Sequence, residues 1–293
     1  MALVDELPYE PWRQRGAVVA GEFRWRLGVH PLDLADWIEF GTDSDGPDGW
    51  IAEKPGLNAD HRDQVFVALD DAEPECREVS TALADHLATH HPSQPHTLDP
   101  DLHPLDAAAH LVAEDLTVLV ERDGQTVFGA GSVCFPNRWD LPSKLGHTLR
   151  EVHEPVAQLN EQLAPAVDAF VDRLTPERSY WRLGWGIIDV PDGFAPPRHA
   201  ETPASHDPRV DDTFVRVERE TLRRFPETNC ILFTIRTYVA PTGTVLADAD
   251  SGAALSNAVA AMSPSVRAYK DLDGHGLDAV GVRPSGDRDP MCR

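Results

Sequence analysis

The sequence lacks an excess of basic residues and any long apolar run, and each absence excludes a class of protein. Lysine and arginine number 26 against 49 aspartate and glutamate residues, which gives a formal net charge of −23 that repels nucleic-acid phosphates. The longest apolar stretches, such as residues 230–233, fall far short of the ~20 residues that cross a membrane. We therefore expect no nucleic-acid partner and no membrane-spanning segment.

The sequence also lacks paired cysteines and an N-terminal secretory signal. The four cysteines stand far apart with no CxxC motif, so neither a zinc ribbon nor a disulfide framework is expected. Residues 1–16 carry acids and prolines where a secretory signal needs a basic start and an apolar run. We therefore predict a cytoplasmic protein with reduced thiols.

Motifs of several common enzyme classes are missing as well. There is no GxSxG, no phosphate-binding GxxxxGK, no HExxH and no GxGxxG after a predicted strand. The histidines and aspartates of residues 90–103 match no tetrahedral metal spacing, and the prolines among them favour a solvated loop. These absences count against common hydrolases and nucleotide-binding enzymes.

Composition divides the 293 residues into three regions. Residues 1–104 end in a stretch rich in proline and short polar residues, and we expect this region to pack on the core or to continue it. Residues 105–272 carry the clearest helix and strand patterns and form the predicted core. Residues 273–293 are rich in glycine, aspartate and proline, and we expect a disordered tail there.

The core predicts an α+β fold around an antiparallel sheet of about five strands. Two strands form a hairpin, because Asp123 and Gly124 favour the left-handed backbone of a tight turn between apolar runs. Three more strands are predicted over residues 181–188, 213–219 and 230–239, with a helical turn in residues 220–229. Helices are predicted over residues 75–89, 106–116 and 155–174, followed by a helix pair interrupted near Pro264.

The connection over residues 134–156 concentrates aromatic, cationic and imidazole side chains between a predicted strand and a predicted helix. Arg138, Lys144, His147 and His153 lie in it, and loops of this composition often line functional sites. The imidazole of His153 either faces the space between helix and sheet, or it caps a helix or packs in the core.

Cationic side chains also cluster on the last two predicted strands. Arg216, Glu218 and Arg219 lie on one strand, and Arg236 and Tyr238 lie on the next. If these arginines face a cavity, their paired N–H groups suit carboxylates. The pattern is equally typical of the polar outer face of a half-exposed sheet.

Five long stretches within roughly residues 20–272 carry a recognisable pattern. They are RWRLGVHPLDLADWI, LVAEDLTVLV, CFPNRWDLPSKLGHTLREVHEPV, FVRVERETLRRFPETNCILFTIRTYV and LSNAVAAMSPSVRAYK. In this order they resemble the family of haem-dependent oxidative N-demethylase alpha-subunit-like proteins. The match is specific for the family and does not specify a substrate.

The resemblance implies a PAS-like antiparallel sheet that binds haem b, and an oxygen-dependent N-demethylation of a small amine. The family motif IH-x-PVP corresponds to VHEPV, which implies His153 as the axial iron ligand, with His147 as the alternative. Ala157 stands where the family often has proline.

The resemblance also suggests roles for the charged residues. The candidates for holding the cofactor are Arg138, Lys144, Arg219 and Arg236. The candidates for orienting an amine or oxygen are Glu218 and Tyr238.

Electrons for an oxidative reaction have no source in this sequence, which carries no flavin or dinucleotide fingerprint and no iron–sulfur cysteine spacing. The resemblance therefore implies a separate electron-donating reductase, with or without further subunits, and dioxygen as co-substrate. Two alternatives remain. One is a haem-based gas or redox sensor, and the other is a haem enzyme with another amine oxidation such as N-oxygenation.

Overall fold

A seven-stranded antiparallel sheet forms the centre of the described chain. The structure is a computed structural model, and it describes residues 4, 6–14, 18–41, 49–156, 158–197, 213–270 and 272. The predicted disordered tail at residues 273–293 lies outside the described residues. Helices pack on both faces of the sheet, so the predicted α+β class is confirmed.

The strands follow the order β3–β7–β8–β9–β5–β6–β4, and every neighbouring pair is antiparallel. A separate small hairpin, β1–β2, precedes them in the chain. The strands are β1 (Val18–Val19), β2 (Glu22–Phe23), β3 (His30–Leu32), β4 (Phe66–Ala68), β5 (Asp115–Arg122), β6 (Gln125–Ser132), β7 (Ser179–Ile188), β8 (Phe214–Arg224) and β9 (Ile231–Pro241).

The helices of the described residues vary from one turn to five turns. They are α1 (Trp50–Asp60), α2 (Arg62–Val65), α3 (Glu73–His90), α4 (Pro104–Ala109), α5 (Leu149–Val152), α6 (Leu159–Arg173), α7 (Thr242–Ala247), α8 (Ala249–Ala260) and α9 (Pro264–Tyr269). Short 3₁₀ turns lie at Pro11–Arg13, Leu34–Asp36 and Pro142–Lys144. Among these helices, none has the length and apolarity needed to cross a membrane.

The sheet has seven strands, whereas the sequence predicted about five. The two additional strands lie at the edges of the sheet and are too short to be predicted from the sequence. β3 and β4 have three residues each, too few to show alternation. β3 pairs with β7 and β4 pairs with β6, so residues 1–104 supply both edges of the sheet.

The central hairpin follows the prediction, whereas the connection to β9 does not. Asp123 and Gly124 have φ angles of +52° and +75°, the left-handed turn expected between β5 and β6. The helical turn predicted in residues 220–229 is wrong, because β8 continues to Arg224 and pairs there with Ile231 of β9. The polar side chains at this end of β8 hide its alternation.

The helix predictions are confirmed in type and differ at some ends. α3 and α6 occupy the stretches predicted at residues 75–89 and 155–174, and α8 and α9 form the predicted interrupted pair. The helix predicted over residues 106–116 ends early, since α4 stops at Ala109 and β5 begins at Asp115.

The two faces of the sheet carry separate apolar clusters. Leu119 and Leu222 point to the face covered by α5 and α6. Because strand side chains alternate, Val118 and Leu232 point to the opposite face, which α3 and α4 cover. Val217 of β8 lies on that same opposite face, against α8 and α9. The face beneath α5 and α6 leaves space for a ligand.

Candidate functional site

A large cavity lies between the sheet and helices α5 and α6. Its volume is about 1360 Å³, above the ~300–1,000 Å³ of most small-molecule pockets. Strands β5, β7, β8 and β9 line it from one side, and the extended residues 23–30 and the loop residues 135–140 also contribute. The apolar stripe of α6 lines it with Leu159, Leu163, Val167, Phe170 and Val171.

The cavity is rich in cations although the protein is acidic. Seven of the 26 lysine and arginine side chains line it, but only five of the 49 acidic ones. The cations are Arg24, Arg26, Arg138, Lys144, Arg182, Arg216 and Lys270. The acids are Asp115, Asp140, Asp189, Glu218 and Glu220. A cation-rich lining in a molecule of net charge −23 favours a ligand that carries negative groups.

His153 reaches the cavity from the end of α5. Thr148 begins this helix with a capping box, and the backbone N–H of His153 donates to the carbonyl of Leu149 at 3.0 Å. No hydrogen-bond partner of its imidazole lies among the described residues. Burial, together with the charges of Arg182 and Lys144, lowers the pKa of His153 to about 4, so the ring is neutral at pH 7. A neutral imidazole nitrogen is a metal ligand.

His147, the alternative ligand, is not brought to the cavity. Its side chain is 53% exposed, and Nδ1 lies 3.6 Å from Oε2 of Glu151. Its backbone carbonyl accepts a 2.8 Å hydrogen bond from Phe128 of β6. The imidazole therefore stays in solvent at the start of α5.

Three cations of the cavity lining differ in how far nearby carboxylates neutralise them. Arg138, with a left-handed φ of +56°, donates to Oδ1 of Asp189 at 2.6 Å. Nε of Arg182 lies 3.3 Å from Oε2 of Glu220. Lys144 is only 9% exposed, and its Nζ has no ion-pair or hydrogen-bond partner among the described residues. Lys144 is therefore the cation most in need of an external anion.

Two carboxyl groups line the cavity from the same strand. Glu218 and Glu220 alternate with buried residues of β8, and Nε of Arg216 lies 2.8 Å from Oε1 of Glu218. On β7, Gly184 pairs with Glu218 and Gly186 pairs with Arg216, and neither glycine presents a side chain to the cavity. Glycine inside a strand often marks the close approach of a ligand.

Arg219, Arg236 and Tyr238 lie on the opposite face of the sheet and do not line the cavity. Arg219 donates to the carbonyl of Trp37 at 3.2 Å, and the hydroxyl of Tyr238 donates to Oε2 of Glu39 at 2.7 Å. The guanidinium of Arg236 lies 4.5 Å from the Tyr238 ring centroid. Strand alternation separates these three from the cavity-lining residues of β8 and β9. We therefore exclude these three residues from the proposed site.

Four of the residues proposed from the sequence, His153, Arg138, Lys144 and Glu218, line the one cavity, together with residues that the sequence did not indicate. Arg182, Glu220 and Lys270 also line the cavity. The stretch WRLGWG held a usable signal, since an arginine and two glycines recur at every second position and so share one face of β7.

The site defines a class of cofactor-binding protein. A neutral imidazole, a lysine ammonium with no ion-pair partner among the described residues, and an apolar wall together suit a metal-bearing cofactor with acidic groups. Residues 94–279 match the family model described as haem-dependent oxidative N-demethylase, alpha subunit-like. The chain belongs to this family, whose description points to an oxidative, haem-dependent enzyme of the N-demethylase type.

The residues present fit haem. Its iron requires an axial donor, which the His153 imidazole offers without first losing a proton. Its two propionate carboxylates require cations, and Lys144 and Arg182 both act electrostatically on His153 from within the cavity.

Proposed function

We propose that this chain binds haem b with His153 as the axial iron ligand and oxidatively N-demethylates a small amine with dioxygen. The observation that carries the proposal is the neutral imidazole of His153, without a hydrogen-bond partner among the described residues, inside a cation-rich cavity. A PAS-like arrangement of the central strands belongs to the same proposal.

Lys144 and Arg182 are the residues that hold the two propionates in this proposal. Both charges contribute to the lowered pKa of His153, so both lie close enough to serve a cofactor bound there. Arg138 has a weaker case because Asp189 already accepts its hydrogen bond. When bound, haem supplies an iron that activates dioxygen once electrons arrive.

The remaining lining residues bind and orient the amine. The apolar stripe of α6 excludes water, and the carboxylate of Glu218 accepts a hydrogen bond from a protonated or neutral amine nitrogen. Removal of the N-methyl group yields the demethylated amine and formaldehyde. The electrons come from a separate reductase in the cytoplasm, and the words "alpha subunit" in the family description support further subunits.

An absorption spectrum of the protein expressed with haem supply tests the proposal. We expect a Soret band that shifts with dithionite and carbon monoxide and lacks the long-wavelength thiolate signature. His153→Ala should weaken haem binding by roughly tenfold or more, since loss of even an outer-sphere partner of a metal ligand costs that much. His147→Ala is the matched control and should bind haem as the wild type does.

Each outcome decides one part of the proposal. Full haem and an unchanged ferrous spectrum in His153→Ala would remove the ligand assignment. Formaldehyde formed from N-methylamines with dioxygen and a reductase supports demethylation, whereas a product heavier by one oxygen would indicate N-oxygenation. Stable haem without turnover of any amine would favour a gas or redox sensor.

A further inference from the structure

Two carboxyl groups of β8 converge over a position of β7 that has no side chain. A Cβ atom at Gly184 would lie 2.9 Å from Oε1 of Glu220 and 3.2 Å from Oε2 of Glu218. Both distances are shorter than an ordinary contact, so a side chain at position 184 would displace the two carboxyl groups from where they lie. The space above Gly184 belongs to the cavity.

The two carboxyls are held differently. Arg216 contacts Glu218 at 2.8 Å and is itself fixed by hydrogen bonds to the carbonyl of Phe135 and the hydroxyl of Thr237. Glu220 has only the longer 3.3 Å contact with Arg182, whose Nε makes no hydrogen bond in the described structure. Arg216 therefore pairs closely with Glu218, and Glu220, with the weaker partner, is the member that takes a proton.

The charges around Glu220 support this division. Burial, with the charge of Glu218 and against the charges of Arg182 and Lys270, raises the pKa of Glu220 to about 7. Burial, with the charge of Arg182, also lowers the pKa of Lys270 to about 8, against the charges of Glu218 and Glu220. Lys270 donates to the carbonyl of Trp185 at 2.7 Å and lies half-buried beside β7.

We propose that Glu220 is the proton donor of the cavity and that it regains its proton from solvent past Lys270. This inference rests on the proposed function, because that reaction consumes protons. An N-methylamine, dioxygen, two electrons and two protons give the demethylated amine, formaldehyde and water. The electrons come from the reductase. One oxygen atom enters the methyl C–H bond, the resulting carbinolamine breaks its C–N bond, and the other oxygen atom leaves as water with the two protons.

The first experiment needs no haem. In protein labelled with ¹³C at the glutamate carboxyl, one resonance should titrate near pH 7, and Glu220→Gln should remove it. Glu114 is also buried with a raised pKa, so the variant is needed for the assignment. Glu218→Gln should lower the midpoint, and Arg182→Gln should raise it, because each change removes one of the charges named above. Glu121→Gln, at an exposed site of β5, is the control and should change nothing.

The second experiment uses the haem-loaded protein with dimethylamine as the probe. Glu220→Gln should lower formaldehyde formed per dioxygen consumed and slow turnover by about 10²-fold, the lower range for loss of a general acid. Wild-type turnover should fall above pH 7 as Glu220 loses its proton, and the variant should lack this limb.

The two experiments separate failure of this inference from failure of the proposed function. A Glu220 midpoint in the ordinary glutamate range, or full turnover in Glu220→Gln, would overturn the proton-donor role. Absence of haem or of amine turnover would overturn the proposed function, while the titration would still show whether the carboxyl pair shares a proton.

Discussion

His147 and His153 stand at opposite ends of α5, and a capping interaction produces their different surroundings. Thr148 accepts a hydrogen bond from the backbone N–H of Glu151 and begins the helix directly after His147. His153 follows Val152, which is buried in the apolar cluster with α6. One helical turn therefore separates an exposed imidazole from a cavity-lining one, although the sequence shows only two histidines in one connection.

A third histidine, His86, gives a prediction about acid stability. Its ring is 7% exposed in the core, 5.0 Å from the Trp37 ring, and Nε2 has no hydrogen-bond partner in the described structure. Burial, and then the charges of His90, His91 and Arg223, lower the pKa of His86 to about 4. The unfolded chain binds the proton more tightly, so this residue costs stability as pH falls below about 6.5.

His86→Phe should therefore flatten the acid limb of the stability curve. We expect the variant to gain about 2 kcal/mol relative to the wild type at pH 4 and little at pH 7. Urea denaturation at a series of pH values measures the difference. His96→Phe, at an exposed site after α3, is the control. Parallel curves for the wild type and His86→Phe would show that His86 has the same pKa in the folded and the unfolded chain.

At the scale of elements, local sequence patterns predicted the long strands, whereas the short edge strands depend on pairing with the sheet. Alternation and turn chemistry indicate the β5–β6 hairpin, β7 and β9 without reference to any neighbour. β3 and β4 have three residues each, and they become strands through their pairing with β7 and β6 at the edges of the sheet. Sequence alternation also separates Glu218 from Arg219, but only the packing of α6 shows that Glu218 faces the cavity.

One buried lysine joins α1 to the core by hydrogen bonds. Lys54 is fully buried, and its Nζ donates to the carbonyls of Ala109 and Glu114. It also lies 4.0 Å from Oδ1 of Asp115, whose carboxylate accepts the backbone N–H of Phe135 at 3.0 Å. The same contacts therefore join residues 1–104 to the core and position the cavity loop.

Lys54→Met should destabilise the whole protein rather than one region. Removing one partner of a buried ion pair costs ~3 kcal/mol or more, because Asp115 then loses its main counter-charge and keeps only the weaker effect of Arg216. Tryptophan fluorescence and far-ultraviolet circular dichroism should report one shared urea transition, shifted to lower urea in the variant. Asp60→Asn, at an exposed site of α1, is the control. Two separate transitions, with only one shifted, would show that residues 1–104 fold independently.

At the scale of the whole molecule, the charge of the cavity lining is opposite in sign to the net charge of the chain. The chain carries a net charge of −23, yet cations outnumber acids in the cavity lining. A distant charged molecule responds to the overall negative field, whereas a molecule inside the cavity meets Lys144 and Arg182. The electron donor and the haem of the proposed function would therefore meet fields of opposite sign.

Small reductants of opposite charge distinguish the two fields. We expect cationic hexaammineruthenium(II) to reduce the haem-loaded protein faster at low salt and to slow by roughly tenfold as salt rises. Anionic ferrous EDTA should accelerate, because salt shortens the Debye length to ~8 Å at 0.15 M and screens the repulsion. Stopped-flow absorption in the Soret region measures both rates.

A neutral reductant is the control and should show no salt dependence. If the anionic reductant also slows with salt, the cations of the cavity, rather than the charge of the whole molecule, control the approach of electron donors. That result would predict an electron donor that docks through an acidic surface at the cavity. The expected result predicts a donor with a basic surface, because only such a partner is attracted by the negative field that surrounds the rest of the protein.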